Sequence, residues 1–512
     1  MTVSSNRCWM VWRKPRDMQR GTPSFAGFCF DNRYARLPER FYHKQEPLPV
    51  TAPQLIQLNE KLAAELGLDA SALRQKAGIT VLAGNRVPEG AEPLAMAYAG
   101  HQFGHFVPQL GDGRALLLGQ HRAPDGRLVD VHLKGAGQTP FSRRGDGRSA
   151  IGPVIREYIV SEAMHALGIA TTRSLAAIAT GEDVYRERPL PGGILTRVAQ
   201  SHVRVGTFEY FAARGDKEGL KALADECIAV LYPDAASAPS PYLALLEQVV
   251  ARQATLVAKW MGVGFIHGVM NTDNMAISGE TIDYGPCAFM DQFASNRTFS
   301  SIDSHGRYAY DNQPRIAQWN LARLAETLLP LLEMDTETAI AKAGARVHAF
   351  QAQFKREWLA VMRHKLGLQT EQESDLELIE SLLELMQAQE ADFTLTFRAL
   401  CHAQSDATDF LTLLNKQEAA KDWLTHWQKR LATEPTSTDE PYACMQAANP
   451  VYIPRNHQIE QAIREAVEQQ SYAKMAELLE VLSKPFTERE AYAAYALPPT
   501  PQERVYQTFC GT

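Results

Sequence analysis

Three side chains that could hold a metal ion through oxygen atoms lie in one short stretch of this 512-residue chain. Asp273 and Asn274 stand in a predicted loop, and Asp283 follows a short apolar run in an Asp-Tyr-Gly sequence. Mg²⁺ usually takes one or two protein oxygens together with substrate phosphates. The spacing therefore predicts a divalent cation at a nucleotide site. A buried glycine-rich turn with a solvated Asp-Asn pair is the alternative for this stretch alone.

The same stretch resembles the catalytic and Asp-Phe-Gly loops of protein kinases, in which a catalytic Asp precedes a metal-binding Asn by five residues. Aligning His267 with the kinase His places Asn274 at the metal position and Val269 where the catalytic Asp would stand. A valine cannot accept a proton, so Asp273 is the nearest carboxylate able to orient an incoming hydroxyl group. A helix-capping or metal-supporting Asp is the alternative for Asp273.

Composition limits the class of protein. With 45% hydrophobic and 22% charged residues, the chain is typical of a globular protein with one large or two to three moderate domains. The formal net charge of −7 argues against a general nucleic-acid binder. The sequence contains no run of eighteen apolar residues, so it does not predict a membrane span. We expect a cytoplasmic monomer without nucleic-acid or membrane partners.

The N-terminus and the cysteines indicate little about targeting or function. The first 21 residues are basic but lack the apolar core of a secretory signal. We expect residues 1–29 to be a disordered leader, or a start codon assigned too far upstream. No Cys-x-x-Cys occurs, which fits a reducing compartment. The seven cysteines are Cys8, Cys29, Cys227, Cys287, Cys401, Cys444 and Cys510.

Hydrophobic periodicity predicts an α+β, bilobal protein-kinase-like fold, with a small sheet-containing N-lobe at residues 30–205 and a large helical C-lobe with a C-terminal extension at 206–512. The N-lobe predictions are a helix 53–66, a glycine-rich loop 99–114, strands 115–118 and 128–134 joined by a hairpin turn at 125–126, a phosphate-cradling loop 135–148, a helix 153–167, and strands 174–179 and 193–197. The C-lobe predictions are helices 218–231, 241–261, 314–332, 337–366, 375–389 and 459–482, with an exposed connection at 432–440.

Placed on these elements, the candidate residues follow the order of the kinase nucleotide site: a glycine-rich loop, a strand lysine, a helix glutamate, a metal Asn and a metal Asp. Lys134 ends a predicted strand, and Glu157 lies inside the next predicted helix. Each residue alone is more often a solvated charge. Their joint order on suitable elements predicts a nucleotide site.

Four longer segments, at 30–42, 134–148, 267–274 and 283–287, are similar to the selenoprotein O family of pseudokinases. The similarity extends from about residue 30 to the C-terminus. The resemblance implies protein adenylylation: ATP is bound inverted relative to kinases, and AMP is transferred to Ser, Thr or Tyr hydroxyls of proteins. Some bacterial members use UTP with Mn²⁺ to attach UMP.

The resemblance also implies a role for each candidate residue. Gly111, Gly113 and Arg114 would cover the nucleotide; Lys134 would contact phosphates with Glu157 as its structural ion pair; Asp146 and Gly147 would lie at the base or ribose; Arg197 and Arg204 would hold the inverted terminal phosphates; Asn274 and Asp283 would ligate Mg²⁺ or Mn²⁺; Asp273 would accept the proton. Arginine suits bidentate phosphate contact, and extra positive charge could stabilise a pyrophosphate leaving group.

Eukaryotic members of that family carry selenocysteine near the C-terminus. Cys510 stands close to the end of this chain, and a redox role with Cys287 is a hypothesis; two ordinary thiols are the alternative.

For the whole chain, two other functions compete with nucleotidyl transfer. One is a kinase that transfers the γ-phosphoryl group with Asp273 as a displaced base. The other is a nucleotide-binding scaffold without turnover, which Val269 favours.

Overall fold

The structure, a computed structural model, describes residues 24–435 and 439–509. Residues 1–23 of the predicted leader, Cys510 and positions 436–438 of the predicted connection lie outside this part. Residues 24–29 belong to the folded protein, because Phe25–Gly27 forms a 3-10 turn and Phe28 is fully buried. The predicted boundary at residue 30 is therefore too late.

The N-terminal part is built on an eight-stranded antiparallel sheet. Its strands are β1 Tyr42–Lys44, β2 Gln54–Leu58, β3 Leu94–Met96, β6 Ala115–Arg122, β7 Leu128–Lys134, β8 Ser149–Ala150, β9 Arg173–Tyr185 and β10 Pro189–Ala199. The order is β1-β3-β6-β7-β10-β9-β2, with β8 paired to β10. Two small antiparallel pairs stand apart: β4 Gly100–Gln102 with β5 His105–Val107, and β11 Phe265–Ile266 with β12 Ala288–Phe289. The predicted hairpin at 115–134 is confirmed.

The predicted helix 53–66 is wrong in its first half. Residues 54–58 form β2, which pairs with β9, and the helix begins only at Glu60. The Asn59 side chain accepts a hydrogen bond from the Leu62 amide at 3.1 Å, which caps the helix start. Pairing with a distant strand has overridden the helical spacing of the leucines. Leu58 and Leu62 are both buried, so the predicted core face is confirmed.

The chain from residue 205 onward is mainly helical, and the predicted α+β, kinase-like fold class is confirmed. The predicted single helix 459–482 is two helices, because Gln470 adopts a left-handed conformation with φ of 52°. The helices are α1 Glu60–Glu65, α2 Ala70–Arg74, α3 Lys76–Leu82, α4 Ile151–Ala166, α5 Val205–Ala212, α6 Lys217–Leu231, α7 Pro241–Gly262, α8 Gln313–Leu328, α9 Thr336–Lys365, α10 Asp375–Ala388, α11 Phe393–Leu400, α12 Thr408–Leu413, α13 Glu418–Leu431, α14 Asp439–Ala448, α15 Asn456–Gln469 and α16 Ala473–Leu482. Within the described residues, none of these helices combines the length and apolar composition of a transmembrane segment.

The C-terminal extension supports the helix that carries Glu157. Helices α15 and α16 pack on α4. The Arg156 guanidinium lies 2.5 Å from a Glu460 carboxylate oxygen and donates to the Cys287 carbonyl at 3.2 Å. One buried arginine thus joins α4 to α15 and to the loop after Asp283.

A buried lysine in the helical part makes stability depend on pH. Lys365 is 2% exposed, and its ammonium lies 4.2 Å from the ring centroid of Phe397. Burial lowers the pKa of Lys365 to about 7. Between that pH and about 10.4, the ordinary lysine value, the unfolded state binds more protons, so this group makes stability rise with pH.

We expect Lys365→Met to raise the melting temperature by about 3 °C or more at near-neutral pH, because folding then no longer buries an ammonium group or forces it to lose its proton. The gain should shrink as the pH approaches about 10. Thermal unfolding of both proteins across this range checks the prediction. A difference in melting temperature that does not change with pH would contradict it.

Candidate active site

A cavity of about 440 Å³ lies between the sheet and the helical part. Twelve residues predicted from the sequence for nucleotide, ion-pair, metal or proton-accepting roles all line it: Gly111, Gly113, Arg114, Lys134, Asp146, Gly147, Glu157, Arg197, Arg204, Asp273, Asn274 and Asp283. The predicted redox residue Cys287 is not among the lining residues. The fold therefore brings together residues that are as much as 172 positions apart (283 − 111).

Four charged side chains form a cluster at the buried end of this cavity. The Lys134 ammonium lies 2.5 Å from one Glu157 oxygen and 3.1 Å from an Asp283 oxygen. Arg197 bridges the same two carboxylates at 3.2 and 3.0 Å. Burial opposes ionisation of Asp283, but Lys134 and Arg197 hold its pKa well below the usual range. Asp283 is thus a carboxylate anchored between two cations.

Strand pairing places this lysine and arginine on one face of the sheet. Lys134 is opposite Leu195, and Arg197 is opposite His132. Residues opposite each other in an antiparallel pair, and residues two apart in one strand, share a face. Helix α4 packs against β9 and β10 and presents Glu157 to both cations. The ion-pair cluster therefore follows from strand register.

Arg204 is a second buried guanidinium beside this cluster. It is 1% exposed, donates to the His202 carbonyl at 3.0 Å and lies 3.8 Å from an Asp112 oxygen. Its guanidinium carbon is 4.4 Å from the Tyr98 ring centroid. Burial disfavours the charge, yet Tyr98 and Asp112 raise the pKa of Arg204, so the side chain stays cationic.

The two glycine-rich loops pack against each other to form one wall. Gly111 has φ of +77°, and a β-carbon there would lie 2.3 Å from the Phe141 ring. A β-carbon on Gly113 would lie 2.7 Å from the Phe141 carbonyl oxygen. The Thr139 hydroxyl donates to the Asp112 carbonyl at 2.7 Å. Both glycines are therefore required for the approach of the loops, whatever they bind.

Asp146 lies at the exposed edge of the cavity, next to the buried Gly147. Asp146 accepts hydrogen bonds from Arg186 at 2.8 Å and from the Arg148 amide at 2.9 Å. Gly147 has φ of +67°, and a β-carbon there would lie 2.2 Å from the Gly137 carbonyl carbon. The edge of the site is thus polar, ion-paired and closely packed.

The loop that carries Asp273 and Asn274 is tied to the loop that carries Asp283. The buried His267 ring is hydrogen-bonded to the Ile282 carbonyl at 2.9 Å. The Asn274 amide nitrogen donates to the Val269 carbonyl at 3.0 Å, which leaves the amide oxygen as its remaining acceptor. Val269 is buried. Both predicted metal ligands therefore line one cavity from linked loops.

Asp273 is a buried carboxylate whose two oxygens have different surroundings. Gln102 donates to its Oδ2 at 3.2 Å, whereas its Oδ1 is buried and, within the described residues, has no hydrogen-bond partner. Burial raises the pKa of Asp273 to about 6. The group is therefore ionised at neutral pH and more basic than an ordinary Asp, as a proton acceptor requires.

The donor set fits a cation that is shared with phosphates. Among the described residues, no group of three or more His, Cys, Asp or Glu side chains could hold a metal by itself. The charges of the six side chains at the buried end cancel: three cations, Lys134, Arg197 and Arg204, face three carboxylates, Asp112, Glu157 and Asp283. A triphosphate carries about four negative charges and so needs a further cation, which Mg²⁺-type sites hold with one or two protein oxygens.

Comparison with known proteins places the chain in a family. The family profile described as "Protein adenylyltransferase SelO" matches residues 24–483. Proteins called "Protein nucleotidyltransferase YdiU" from Rhizobium etli and Rhizobium meliloti are each 58% identical over 490 residues, covering 95% of this chain and 98% and 100% of theirs. The chain belongs to the SelO family. The resemblance stated from the sequence is confirmed. A further relative of the same name, from Rhodopseudomonas palustris, is 58% identical over 487 residues, covering 95% of this chain and 99% of its own.

In this SelO-family chain, Cys287 is the member of the predicted redox pair that the structure describes. Cys287 is 1% exposed, and burial raises the pKa of its thiol to about 12, which disfavours the reactive thiolate. The chain passes near it at Thr508, whose hydroxyl donates to the Pro286 carbonyl at 2.5 Å. Cys510 lies outside the described residues, so the redox role stays a prediction. Mass spectrometry of oxidised protein tests it, and free thiols at both positions would contradict it.

The SelO-family site also contains residues that the sequence did not single out. Tyr98 lies against Arg204, and Gln102 holds Asp273 across 171 positions of chain. Both belong to the glycine-rich stretch 99–114 or its edge, but no motif indicated their partners. Gln102 lies in β4 of the β4–β5 pair, whose strands are only three residues long, and Tyr98 lies two residues before β4.

Proposed function

We propose that this chain transfers a nucleoside monophosphate, AMP from ATP, to Ser, Thr or Tyr hydroxyls of proteins. In this reaction the hydroxyl oxygen bonds to the α-phosphorus, the bond from that phosphorus to the bridging β-phosphate oxygen breaks, and pyrophosphate leaves. The hydroxyl proton passes to a base. The family profile and the names of the relatives support nucleotidyl transfer to proteins.

The observation that carries the proposal is the set of three cationic donor groups at the buried end of the cavity. Lys134, Arg197 and Arg204 are all at least nine-tenths buried there. Phosphate oxygens accept charge-assisted, bidentate hydrogen bonds from such donors, which a nucleobase cannot match, and a metal ion held by Asn274 and Asp283 would supply the net positive charge that the ion-paired wall lacks. We infer that the β- and γ-phosphates point inward and the base lies towards Asp146 and Gly147. This inverted position leaves the α-phosphate nearer the mouth of the site.

Asp273 is suited to take the proton from the attacking hydroxyl. Its Oδ1 is the buried acceptor without a partner, and Gln102 keeps the other oxygen in place. Asn274 and Asp283 would hold Mg²⁺ or Mn²⁺, which would neutralise phosphate charge when bound. Lys134 and the two arginines would stabilise the charge that grows on the leaving pyrophosphate.

Radioactive ATP labelled at different phosphates tests this function directly. We expect protein to retain label from α-labelled ATP and none from γ-labelled ATP, with pyrophosphate released in proportion. Label from the γ position alone would show a kinase. No label from either, with nucleotide still bound, would show a scaffold. A structure with a non-hydrolysable nucleotide would show which phosphate faces Asp273.

Several finer features belong to the same proposal. UTP is an alternative donor, as the family resemblance implies. We further propose that the sheet part and the helical part act as the two lobes of a cytoplasmic, monomeric enzyme without nucleic-acid or membrane partners. The net charge of −7 and the free thiols of Cys227, Cys287, Cys401 and Cys444 support this setting.

A further inference from the structure

A second cavity opens beside the nucleotide cavity. It has a volume of about 750 Å³ and is lined by the segment 302–307, the outer face of α8 and one side of α9. Phe103 and Ile302 line both cavities. The two cavities therefore adjoin at these side chains. We name residues 302–307, 312–322 and 347–351 the acceptor-side groove, which lies next to the proposed catalytic site.

A short path of contacts connects this groove to the proposed catalytic carboxylate. Gln102 donates to Asp273 at 3.2 Å, and the next residue, Phe103, donates its amide to the Asn271 side chain at 3.0 Å. A β-carbon on Gly104 would lie 3.5 Å from the Arg307 guanidinium carbon. The tip of one hairpin thus separates Asp273 from Arg307.

The acceptor-side groove has an excess of positive charge. Arg307 and Arg315 line it and, within the described residues, neither pairs with a carboxylate; His305 and His348 line it as well. Its one lining carboxylate, Asp303, is buried and accepts the backbone amides of Arg307 and Tyr308 at 2.9 and 2.8 Å. These guanidinium groups remain available to a negatively charged ligand, although the whole chain carries a net charge of −7.

The groove also has apolar and aromatic walls. Ile302 is 59% exposed and presents apolar surface at the edge of the groove. Trp319 lies between two arginines, with the guanidinium carbons of Arg307 and Arg323 at 5.0 and 4.9 Å from its ring. Such mixed walls suit a polypeptide, which offers side-chain carbon as well as charge.

We propose that the acceptor-side groove binds the segment of a protein substrate that flanks the modified hydroxyl, and that it selects acidic residues in that segment. This inference rests on the proposed function, because it names the substrate class for the same site. Arg315, which is exposed, and Arg307, nearer Asp273, would pair with Asp or Glu side chains of the substrate. Charge complementarity of this kind sets specificity and binding rate.

A degenerate peptide library tests the proposal. Each peptide has one central Ser, Thr or Tyr and random flanks, and α-labelled nucleotide marks the products for sequencing by mass spectrometry. We expect Asp and Glu to be enriched beside the labelled residue. For a matched pair of peptides with Glu or Lys flanks, KM should differ about tenfold or more in favour of Glu, with a smaller change in kcat.

Reversing the charge of Arg315 tests the proposal more sharply, because it should reverse the preference between the two peptides. Arg315→Glu should lose the preference for Glu flanks and gain activity on the Lys-flanked peptide, whereas Arg315→Lys should keep the preference. Lys342→Glu on α9 is the matched control, since Lys342 is exposed and does not line the groove. A loss of folding would lower labelling of both peptides equally and could not produce the reversal.

The outcomes separate the two proposals. Labelled peptides with neutral or basic flanks, or a preference that Arg315→Glu leaves unchanged, would overturn the groove proposal and leave the proposed function intact. Absence of α-label from every library peptide and from whole protein extracts, with nucleotide still bound, would count against the proposed function itself. Enrichment of acidic flanks together with the reversal supports both.

Discussion

An Asp283→Asn variant is expected to lose at least about 10³-fold of the metal-dependent labelling of protein. Asn has the same size but no charge. Asp283 is held 3.1 Å from Lys134 and 3.0 Å from Arg197, and it is a proposed metal ligand. The substitution removes a charged metal ligand while Glu157 still pairs with both cations. The measurement is incorporation of α-labelled nucleotide at saturating Mg²⁺ or Mn²⁺.

Nucleotide binding should separate a metal effect from damage to the site. Without metal, the variant should bind nucleotide at least as tightly as the wild type, because a negative charge next to the phosphates is gone. Added metal should no longer strengthen binding. Asp422→Asn, at an exposed position of α13, is the matched control and should retain full labelling. Metal-dependent labelling of Asp283→Asn within about tenfold of the wild type would make the metal assignment wrong.

The elements that carry Lys134 and Glu157 could be predicted because local patterns define them, whereas the role of Arg197 came only from the family resemblance. Alternation from residue 128 defined a strand whose observed bounds, Leu128–Lys134, match the prediction, and this put Lys134 at a strand end. The helix over 153–167 is observed as Ile151–Ala166 and contains Glu157. Strand period and helix period are properties of neighbouring residues, so they can be read without a structure.

The features that escaped prediction depend on contacts between distant segments. β2 has leucines at helical spacing and becomes a strand only by pairing with β9. The hydrogen bond from Gln102 to Asp273 and the bridge from Arg156 to Glu460 join residues 171 and 304 positions apart. No local periodicity reports such pairs, so the support of the site could not be predicted although its charged residues could.

Asp273→Asn is expected to lower kcat about 10²- to 10⁴-fold while the affinity for nucleotide changes by only a few fold. The amide cannot accept the hydroxyl proton as a base, but it keeps the size of the side chain and can still accept the hydrogen bond from Gln102. The site around it is tight: a β-carbon on Gly100 would lie 2.5 Å from Asp273 Oδ1. An isosteric change is therefore the fair test.

The competing role for Asp273 is structural, and the kinetics distinguish the two. A supporting Asp would affect the loop that carries Asn274, so its loss would raise the KM for metal and nucleotide together. A base acts only on the reacting hydroxyl, so its loss lowers kcat and leaves those constants in place. Thr272, whose hydroxyl is hydrogen-bonded to Glu209, offers the comparison: Thr272→Val should disturb the same loop without removing a carboxylate. If Thr272→Val and Asp273→Asn show the same pattern of constants, Asp273 positions the loop and another group accepts the proton.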